Sequence, residues 1–208
     1  MNSQPAASDT TFALPPKPLP TVIVLASGRG ERFIASGGAT HKLKALLAGK
    51  SVLQHTLDAV KASGLSWHLE DAGHPGMGDS IAAAVRATWG AAGWMILPGD
   101  LPLIQPQTLR DLASAQPECD VLAPVYSGLR GHPVRFAARF GPALMALTGD
   151  QGASGIARAA GIAEWMVSDA GCVTDIDTVQ DLQRATAAYS DLQRATAACE
   201  CVERVLMP

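Results

Sequence analysis

Short apolar runs and helix-patterned segments alternate along this chain. Residues 21–26 (TVIVLA) and 94–98 (WMILP) are continuous apolar runs, which is typical of strands buried on both faces. Residues 52–63 place Leu53, Leu57 and Val60 at the i, i+4, i+7 spacing of a helix that ends before a glycine. This alternation predicts an α/β fold of three layers, with a mostly parallel sheet flanked by helices.

Weaker patterns extend the same alternation to the rest of the chain. They predict short strands over residues 67–70, 120–126, 133–136 and 165–168, and helices over residues 79–89, 107–115, 142–148, 153–160 and from 178 onward. Only about 15 residues separate Val60 from Gly76. The segment after the first βα unit is therefore short, with room for a single strand.

The two ends of the chain differ from this middle part. Residues 1–20 contain five prolines and little hydrophobic pattern, which predicts a disordered or extended tail. Residues 181–190 and 191–200 are tandem copies that are identical at eight of ten positions. Because ten residues is nearly a whole number of helical turns, we expect the second copy to lengthen a terminal helix.

Composition narrows the function classes. The chain has 208 residues, 48% hydrophobic and 17% charged, with a net charge of −3. The hydrophobic fraction is too high for a disordered chain. The net charge lacks the basic excess that is typical of a nucleic-acid-binding protein. The sequence has no apolar run of membrane-spanning length and no signal-peptide pattern, so we expect a cytoplasmic protein with neither nucleic acid nor membrane as partner.

The cysteines fit that compartment. Cys119, Cys172, Cys199 and Cys201 are too few and too scattered for a disulfide framework. The C-x-C pair has no matching Cys or His cluster that would complete a zinc site. We expect free thiols in a reducing compartment.

The first candidate for chemistry is the turn after the first strand. It places Gly28, Arg29, Gly30 and Arg32 at a strand's carboxyl end, where open α/β sheets bind ligands. Glycines let backbone N–H groups approach an anion, and arginines add fixed positive charge. Phe33 replaces the third glycine of a dinucleotide-binding fingerprint, which disfavours a Rossmann dehydrogenase. An ordinary solvated turn is the alternative.

A lysine and an aspartate follow at suitable places. Lys42 precedes the next apolar segment and would reach back to phosphates held by the loop, although Lys44 and Lys50 compete for that role. Asp100 comes directly after the second buried strand. There it would hold Mg²⁺ against a nucleotide's phosphates, or it would cap the following turn.

A second pair of carboxylates lies late in the chain. Asp175 and Asp177 are separated by one residue, so their side chains would point to the same side of an extended segment. Asp177 or Thr178 is also a suitable N-cap for the helix that begins at Val179.

These features occur together in an ordered set of motifs. LASGRGERF (25–33) is followed by Lys42, GMGDSIAAAV (76–85), GDLP (99–102), RGHPV (130–134), GDQGA (149–153) and DIDTVQDL (175–182). The set resembles nucleotidyltransferases of the GT-A-like fold, and more closely the molybdenum cofactor cytidylyltransferases. The resemblance spans residues 22–182. It implies a nucleotidyltransferase domain over residues 21–182 and a helical extension over 183–208.

The resemblance also implies roles for particular residues. The loop would cradle the β- and γ-phosphates of a nucleotide through Leu25, Ala26, Ser27, Gly28, Arg29 and Gly30. Arg32 and Lys42 would neutralise charge, and Gly78, Asp79 and Ser80 would face the base and ribose. Asp100 would bind Mg²⁺ with Asp177, and Asp175 would lie behind them. The second substrate would be a phosphorylated pterin that carries molybdenum. Its binding site would be lined by Arg130, His132, Asp150, Gln151 and Gly152.

The implied reaction moves CMP from CTP onto molybdenum cofactor with Mg²⁺ and releases pyrophosphate; a molybdoenzyme would receive the product.

Three departures from the family pattern stand out. Ser27 replaces the usual Ala or Gly at a position tied to base choice, Val179-Gln180 replaces Pro-Glu, and the segment after Val60 lacks a whole βα unit. The choice between CTP and GTP therefore stays open.

Two other hypotheses about the function remain. One is a nucleotidyltransferase for another phosphate acceptor such as a sugar 1-phosphate, and the other is a non-catalytic protein that binds nucleotide or cofactor. His132 has a second interpretation, packing beside Pro133. We expect His41, His55, His68 and His74, which lie outside the motifs, at the surface.

Overall fold

The computed structural model describes residues 18–115 and 120–206, with side chains as far as residue 194. Its strands are Thr21–Leu25 (β1), Leu46–Leu47 (β2), Lys50–Ser51 (β3), Trp67–Glu70 (β4), Gly93–Pro98 (β5), Val121–Tyr126 (β6), Leu129–Arg130 (β7), Val134–Ala137 (β8) and Ala163–Met166 (β9). Its α-helices are Glu31–Ala35 (α1), Val52–Ser63 (α2), Met77–Ala87 (α3), Pro106–Ser114 (α4), Gly141–Met145 (α5), Ser154–Ala160 (α6) and Val179–Leu206 (α7). Short 3-10 turns lie at Lys42–Lys44, Ala138–Phe140 and Ala170–Val173.

One seven-stranded sheet organises the fold. Its order is β4-β1-β5-β8-β6-β7, with β9 also paired to β6. Strands β1, β4, β5, β6 and β9 run in one direction, and β8 and β7 run against them. The sheet is therefore mostly parallel, as the sequence predicts. Strand β1 lies between two parallel neighbours, so its carboxyl end opens between the ends of β4 and β5.

Helices cover both faces of the sheet. On one face, β1, β5 and β6 pack against α2 and α4 through a cluster that includes Val24, Leu57, Leu97 and Leu109. On the other, Ile23, Ile96 and Phe136 pack with residues of α3, α5 and α6. Because both faces of the strands are buried, β1 and β5 have the continuous apolar sequences from which they were predicted.

A third apolar cluster lies beside the carboxyl end of β1. It joins Phe33 of α1, Leu43, Leu47, Ile176 and Ala185 of α7. The first copy of the tandem repeat packs here, and Tyr189 lies edge-on to the buried ring of His55 with ring centroids 4.9 Å apart. This cluster fixes the segments that surround the strand end.

Most predicted elements are confirmed to within a few residues. Residues 52–63 form α2, residues 67–70 form β4, and β4 is the one strand between α2 and α3. Three elements escaped prediction: α1 directly after the glycine turn, the β2–β3 hairpin and the two-residue β7. They are too short to show a periodic pattern. Strand β9 begins at Ala163, two residues before the predicted start.

The predicted ends of the chain fall partly outside the described residues. Residues 1–17 and Cys119 lie outside them, as do the side chains of Cys199 and Cys201. Both repeat copies lie in α7, and the division into tail, domain and extension stays a prediction. Cys172 is a buried free thiol, and burial raises its pKa to about 11. In the described part of the chain, every helix is too short or too polar to cross a bilayer.

The surface prediction for the histidines is wrong for His55. Its side chain is buried, and Nε2 lies 2.7 Å from the carbonyl oxygen of Leu47. The ring thus spans α2 and the hairpin that follows the lysine turn. A lone histidine in a helix pattern gives no sign of such a partner, because the partner belongs to a hairpin that the pattern does not reveal.

Asp169 joins α4 to the 3-10 turn before the late carboxylates. Its buried carboxylate accepts hydrogen bonds from the Gln105 N–H at 2.9 Å, the Thr108 hydroxyl at 2.7 Å and the Gly171 N–H at 2.8 Å. Gly171 in turn lies against the backbone of Leu103, where an added Cβ would come within 2.1 Å of the carbonyl oxygen.

Replacement of this carboxylate tests the connection. Asp169→Ala leaves three donors without their acceptor, two of them on the buried residues Thr108 and Gly171, so the free energy of unfolding should fall by about 3 kcal/mol. Urea unfolding followed by circular dichroism measures it. The control is Asp111→Ala, which removes a carboxylate of α4 that accepts from the exposed Gln107 and should cost less than about 0.5 kcal/mol. Equal losses for both variants would contradict the assignment.

Candidate active site at the carboxyl ends of β1 and β5

A cleft of about 500 Å³ opens where β1 and β5 end. Its lining comes from the loop after β1, the lysine turn, the start of α3, the end of β5 and the segment before α7. Among the predicted site residues, the lining contains Leu25, Ser27, Gly28, Arg29, Gly30, Arg32, Lys42, Ser80, Asp100, Asp150 and Asp177. The sheet therefore brings together motifs that are up to about 150 residues apart in sequence.

The loop after β1 is held in one conformation by contacts at both ends. The N–H of Ala26 donates to the carbonyl of Glu70 at 2.9 Å, which fastens the loop to β4. Gly30 has a φ of 65° and begins α1. A Cβ at this position would lie 3.1 Å from the ring of His41. Glycine therefore suits this left-handed backbone conformation, and a side chain here would press on the imidazole.

His41 holds the other end of this loop, and sequence reasoning missed it. Its Nε2 lies 2.6 Å from the carbonyl oxygen of Gly28, and its Nδ1 accepts from the N–H of Leu43 at 3.3 Å. Because Nδ1 accepts, the neutral ring carries its proton on Nε2 and donates it to Gly28. One imidazole thus ties the glycine loop to the turn that carries Lys42. The carbonyl partner is remote in sequence, so the motif gives no sign of it.

Lys42 is the centre of the charged part of the cleft. Its Nζ lies 2.5 Å from Oδ2 of Asp100 and 2.8 Å from Oδ1 of Asp177. Arg32 reaches the other oxygen of Asp177 at 2.8 Å. The competing lysines lie elsewhere: Lys44 is exposed, and Lys50 pairs with Asp58 outside the cleft. The geometry thus singles out Lys42.

The capping alternatives are resolved as well. Asp181 accepts from the N–H and the hydroxyl of Thr178, both at 2.7 Å, and the Thr178 hydroxyl accepts from the Asp181 N–H at 3.2 Å. This reciprocal cap at the start of α7 leaves the carboxylate of Asp177 for Lys42 and Arg32. Asp100 likewise pairs with Lys42 rather than capping a turn.

Burial makes these charges depend on each other. Burial alone lowers the pKa of Lys42, but the carboxylates of Asp100 and Asp177 outweigh it, and the pKa is raised above its ordinary value. Burial raises the pKa of Asp175, and the neighbouring carboxylates of Asp177 and Asp100 act in the same direction. Asp175 therefore lies within the electrostatic reach of the other two carboxylates, although it does not line the cleft.

The acidic residues fit a divalent cation that is shared with a ligand. Within the described residues, no group of three or more His, Cys, Asp or Glu side chains is arranged to hold a metal. Mg²⁺, however, is usually bound by one or two carboxylates together with substrate phosphates and water. Asp100 is buried, and its Oδ1 has no hydrogen-bond partner in the described part of the molecule. A buried carboxylate oxygen without a partner suits a cation ligand.

The start of α3 forms the opposite wall. The hydroxyls of Ser27 and Ser80 are 2.6 Å apart, so they join the loop to the helix. Gly76 and Gly78 lie so close to the backbone of residues 148–151 that an added Cβ would come within 2.1 and 2.6 Å of it. Asp79 accepts from the N–H of Gly149 at 3.0 Å. Gly78 and Asp79 thus hold this segment, whereas Ser80 lines the cleft.

The remaining predicted residues lie outside the lining. Arg130 pairs with Glu164 at 2.9 Å, Gln151 is exposed, and Gly152 lies against the side chain of Met77. His132 is partly exposed as a residue, but its Nδ1 is buried and has no partner among the described residues. Burial lowers its pKa, against the opposing effects of Asp100, Asp175 and a hydrogen bond to Ile96, and so favours the neutral ring.

A histidine pair flanks the rim near β4. The buried carboxylate of Glu70 lies 3.5 Å from Nε2 of His68 and 3.3 Å from Nε2 of His74, and it accepts from the N–H of Ala72 at 3.1 Å. His74 lines the cleft. Sequence reasoning missed this group, although His68, Glu70 and His74 lie within seven residues of one another and their spacing is a local signal that could have found it.

Comparison with known proteins assigns the family. A model of the MobA-like NTP transferase domain matches residues 58–165, just over half of the chain. The chain therefore belongs to the family of MobA-like NTP transferase domains. The matched residues include α3, the end of β5 with Asp100, the RGHP motif and the GDQGA motif.

Solved structures share the fold. Rv0371c from Mycobacterium tuberculosis H37Rv is 23% identical and covers 81% of this chain and 97% of its own, with a TM-score of 0.67; it has also been solved in complex with manganese. The nucleotidyl transferase Mth528 from Methanothermobacter thermautotrophicus is 19% identical, with coverages of 84% and 99% and a TM-score of 0.69. Molybdopterin-guanine dinucleotide biosynthesis protein A from Archaeoglobus fulgidus is 20% identical, with coverages of 82% and 99% and a TM-score of 0.59.

The tie made by His41 can be tested without a ligand. His41→Ala removes the donor to Gly28 and the acceptor for Leu43, so the loop should open more often. Amide hydrogen exchange over residues 28–32 should speed up at least about tenfold, because one net hydrogen bond is worth about 1 kcal/mol and two are lost. Lys44→Ala, on the same turn but exposed, is the control. Unchanged exchange in His41→Ala would show that the ring does not hold the loop.

Proposed function

We propose that this protein transfers a nucleoside monophosphate, CMP from CTP, to the phosphate of molybdenum cofactor and releases pyrophosphate. The observation that carries the proposal is one cleft that combines a glycine and arginine loop, Lys42 and the carboxylates of Asp100 and Asp177. Cations and backbone donors suit a polyphosphate, and the paired carboxylates suit the metal that accompanies it. Membership of the NTP transferase family supports the same assignment.

The chain's own residues would bind and align two anions. The N–H groups of the loop from Ser27 to Gly30 would face the β- and γ-phosphates, and Arg32 and Lys42 would offset their charge. Asp100 and Asp177 would hold Mg²⁺, which neutralises charge on the phosphates when bound. The manganese complex of Rv0371c is in keeping with a divalent cation in this fold.

The reaction needs no nucleophile from the protein. A phosphate oxygen of the acceptor attacks the α-phosphorus in line, the bond between the α-phosphorus and the bridging oxygen breaks, and pyrophosphate leaves with that electron pair. The protein contributes alignment and stabilisation of the charge that moves to the leaving group. This accounts for a cleft of cations, N–H donors and carboxylates, in which the hydroxyl of Ser27 in the loop contacts that of Ser80 in α3.

The acceptor is the less constrained half of the proposal. The RGHP and GDQGA motifs favour molybdenum cofactor. His132, whose Nδ1 has no partner within the described part of the chain, lies within electrostatic reach of Asp100. Arg130, in contrast, is engaged by Glu164. A sugar 1-phosphate acceptor is therefore the second candidate, which uses the same nucleotide half of the site.

Pyrophosphate release separates these candidates. The full chain is incubated with Mg²⁺, each NTP in turn, and either molybdenum cofactor or a panel of sugar 1-phosphates. We expect release with CTP and molybdenum cofactor. Release with a sugar phosphate alone would support the second acceptor, and nucleotide binding without release under any condition would indicate a non-catalytic binding protein.

An aspartate variant tests the site itself. Asp100→Asn keeps the shape but removes the charge that pairs with Lys42 and would hold the metal, so kcat should fall at least about tenfold. Asp58→Asn is the matched control, since Asp58 also pairs with a lysine but lies at the surface and should keep its rate. Full activity in Asp100→Asn would contradict the proposed site.

A further inference from the structure

Lys42 fills the gap in which a cation held by both carboxylates would lie. Its Nζ is within 2.8 Å of an oxygen of Asp177 and at 2.5 Å from Asp100. The side chain of Lys42 is only 14% exposed, so water screens this charge poorly. The ammonium therefore already neutralises the two acidic groups that the proposed function assigns to the metal.

A divalent cation and the ammonium of Lys42 repel each other and compete for the same carboxylates. A carboxylate-bound Mg²⁺ or Mn²⁺ in the gap would place two positive charges against a third in a partly buried site, where like charges repel strongly. Arg32 adds a further positive charge on the other oxygen of Asp177. A bare cation must therefore displace Lys42 from both carboxylates, and in the absence of another anion the ammonium loses its partners.

A nucleotide would supply that other anion. The side chain of Lys42 runs along the glycine loop, where a Cβ on Gly30 would lie 3.5 Å from Cγ of Lys42. Phosphates bound by the loop would therefore lie within reach of the lysine without a change in backbone. His41, the preceding residue, fixes the loop and the turn relative to each other.

We infer that Lys42 makes cation binding depend on nucleotide binding, so that this site takes a metal–nucleotide complex and only poorly takes a bare divalent cation. The inference rests on the proposed function and adds the order of assembly to it. In the ligand-free protein Lys42 bridges Asp100 and Asp177. When a polyphosphate enters with its cation, the ammonium moves to the phosphates and the carboxylates to the metal.

Manganese binding to the nucleotide-free protein tests whether Lys42 weakens the binding of a bare divalent cation. Titration calorimetry with Mn²⁺ alone should give weak binding to the wild type and at least about tenfold tighter binding to Lys42→Met, because the competing charge is gone. The same variant should bind CTP with Mn²⁺ more weakly than the wild type does. Mn²⁺ affinity that is equal or lower in Lys42→Met would overturn the inference.

Two further variants make this result specific. Lys50→Met removes a lysine that pairs with an aspartate at the surface, and it should leave Mn²⁺ affinity unchanged. Asp100→Asn in the Lys42→Met background should abolish the gain, which places the ion at Asp100. A gain that survives Asp100→Asn would locate the ion elsewhere and contradict the inference.

A measurement on the wild type avoids any dependence on the variant's folding. Lysine acetylation by acetic anhydride, quantified by mass spectrometry, should modify Lys42 slowly in the ligand-free protein. Saturating Mg²⁺ alone should speed its modification several-fold relative to Lys50, and CTP with Mg²⁺ should restore protection. An unchanged rate at saturating Mg²⁺ would show that the cation binds without displacing the lysine.

The two proposals fail in distinguishable ways. If no NTP binds under any condition, the proposed function fails, while the Mn²⁺ affinities of the wild type and Lys42→Met still report the competition. If nucleotides bind and react but Mn²⁺ affinity does not rise in Lys42→Met, only the inference fails.

Discussion

The ion pairs of Lys42 with Asp100 and Asp177 are the interaction on which the rest of the site depends. They join the turn after the glycine loop, the end of β5 and the segment before α7, which are separated by up to 135 residues in sequence. A largely buried lysine with two carboxylate partners is strongly constrained, because each of the three charges would be costly alone. The cleft is therefore shaped by charges that also suit a phosphorylated ligand and its metal.

The fold brings these groups together through backbone contacts that leave no room for larger side chains. Gly99 donates its N–H to the carbonyl of Leu25 at 2.8 Å, so the ends of β1 and β5 stay side by side. Gly76 and Gly78 meet the backbone of residues 148–151, and Gly131 meets the carbonyl of Cys172. Several glycines of the sequence motifs are thus points of contact between segments.

The sequence predicted what depends on local pattern and missed what depends on remote partners. Strands β1 and β5 and helix α2 follow from continuous apolar runs and a helical period, and Lys42, Asp100 and Asp177 follow from the motifs. His41 was expected at the surface, yet it holds the loop through the carbonyl of Gly28. The group of His68, Glu70 and His74 was also missed, although its members are close together in sequence, because a short cluster of this kind belongs to none of the motifs. Gly78 and Asp79, expected at the base and ribose, hold the 148–151 segment, and their contact with a nucleotide stays a prediction.

We propose that the strand-end carboxylates, with Lys42 between them, form a site for a metal–nucleotide complex. A crystal structure with CTP and Mn²⁺, with data collected at the manganese absorption edge, would locate the ion and the phosphates. We expect an anomalous peak beside Asp100 and Asp177, phosphates along the loop after β1, and Nζ of Lys42 moved from the carboxylates to the phosphates. A peak away from both aspartates, or Lys42 still bridging them beside the bound nucleotide, would contradict it.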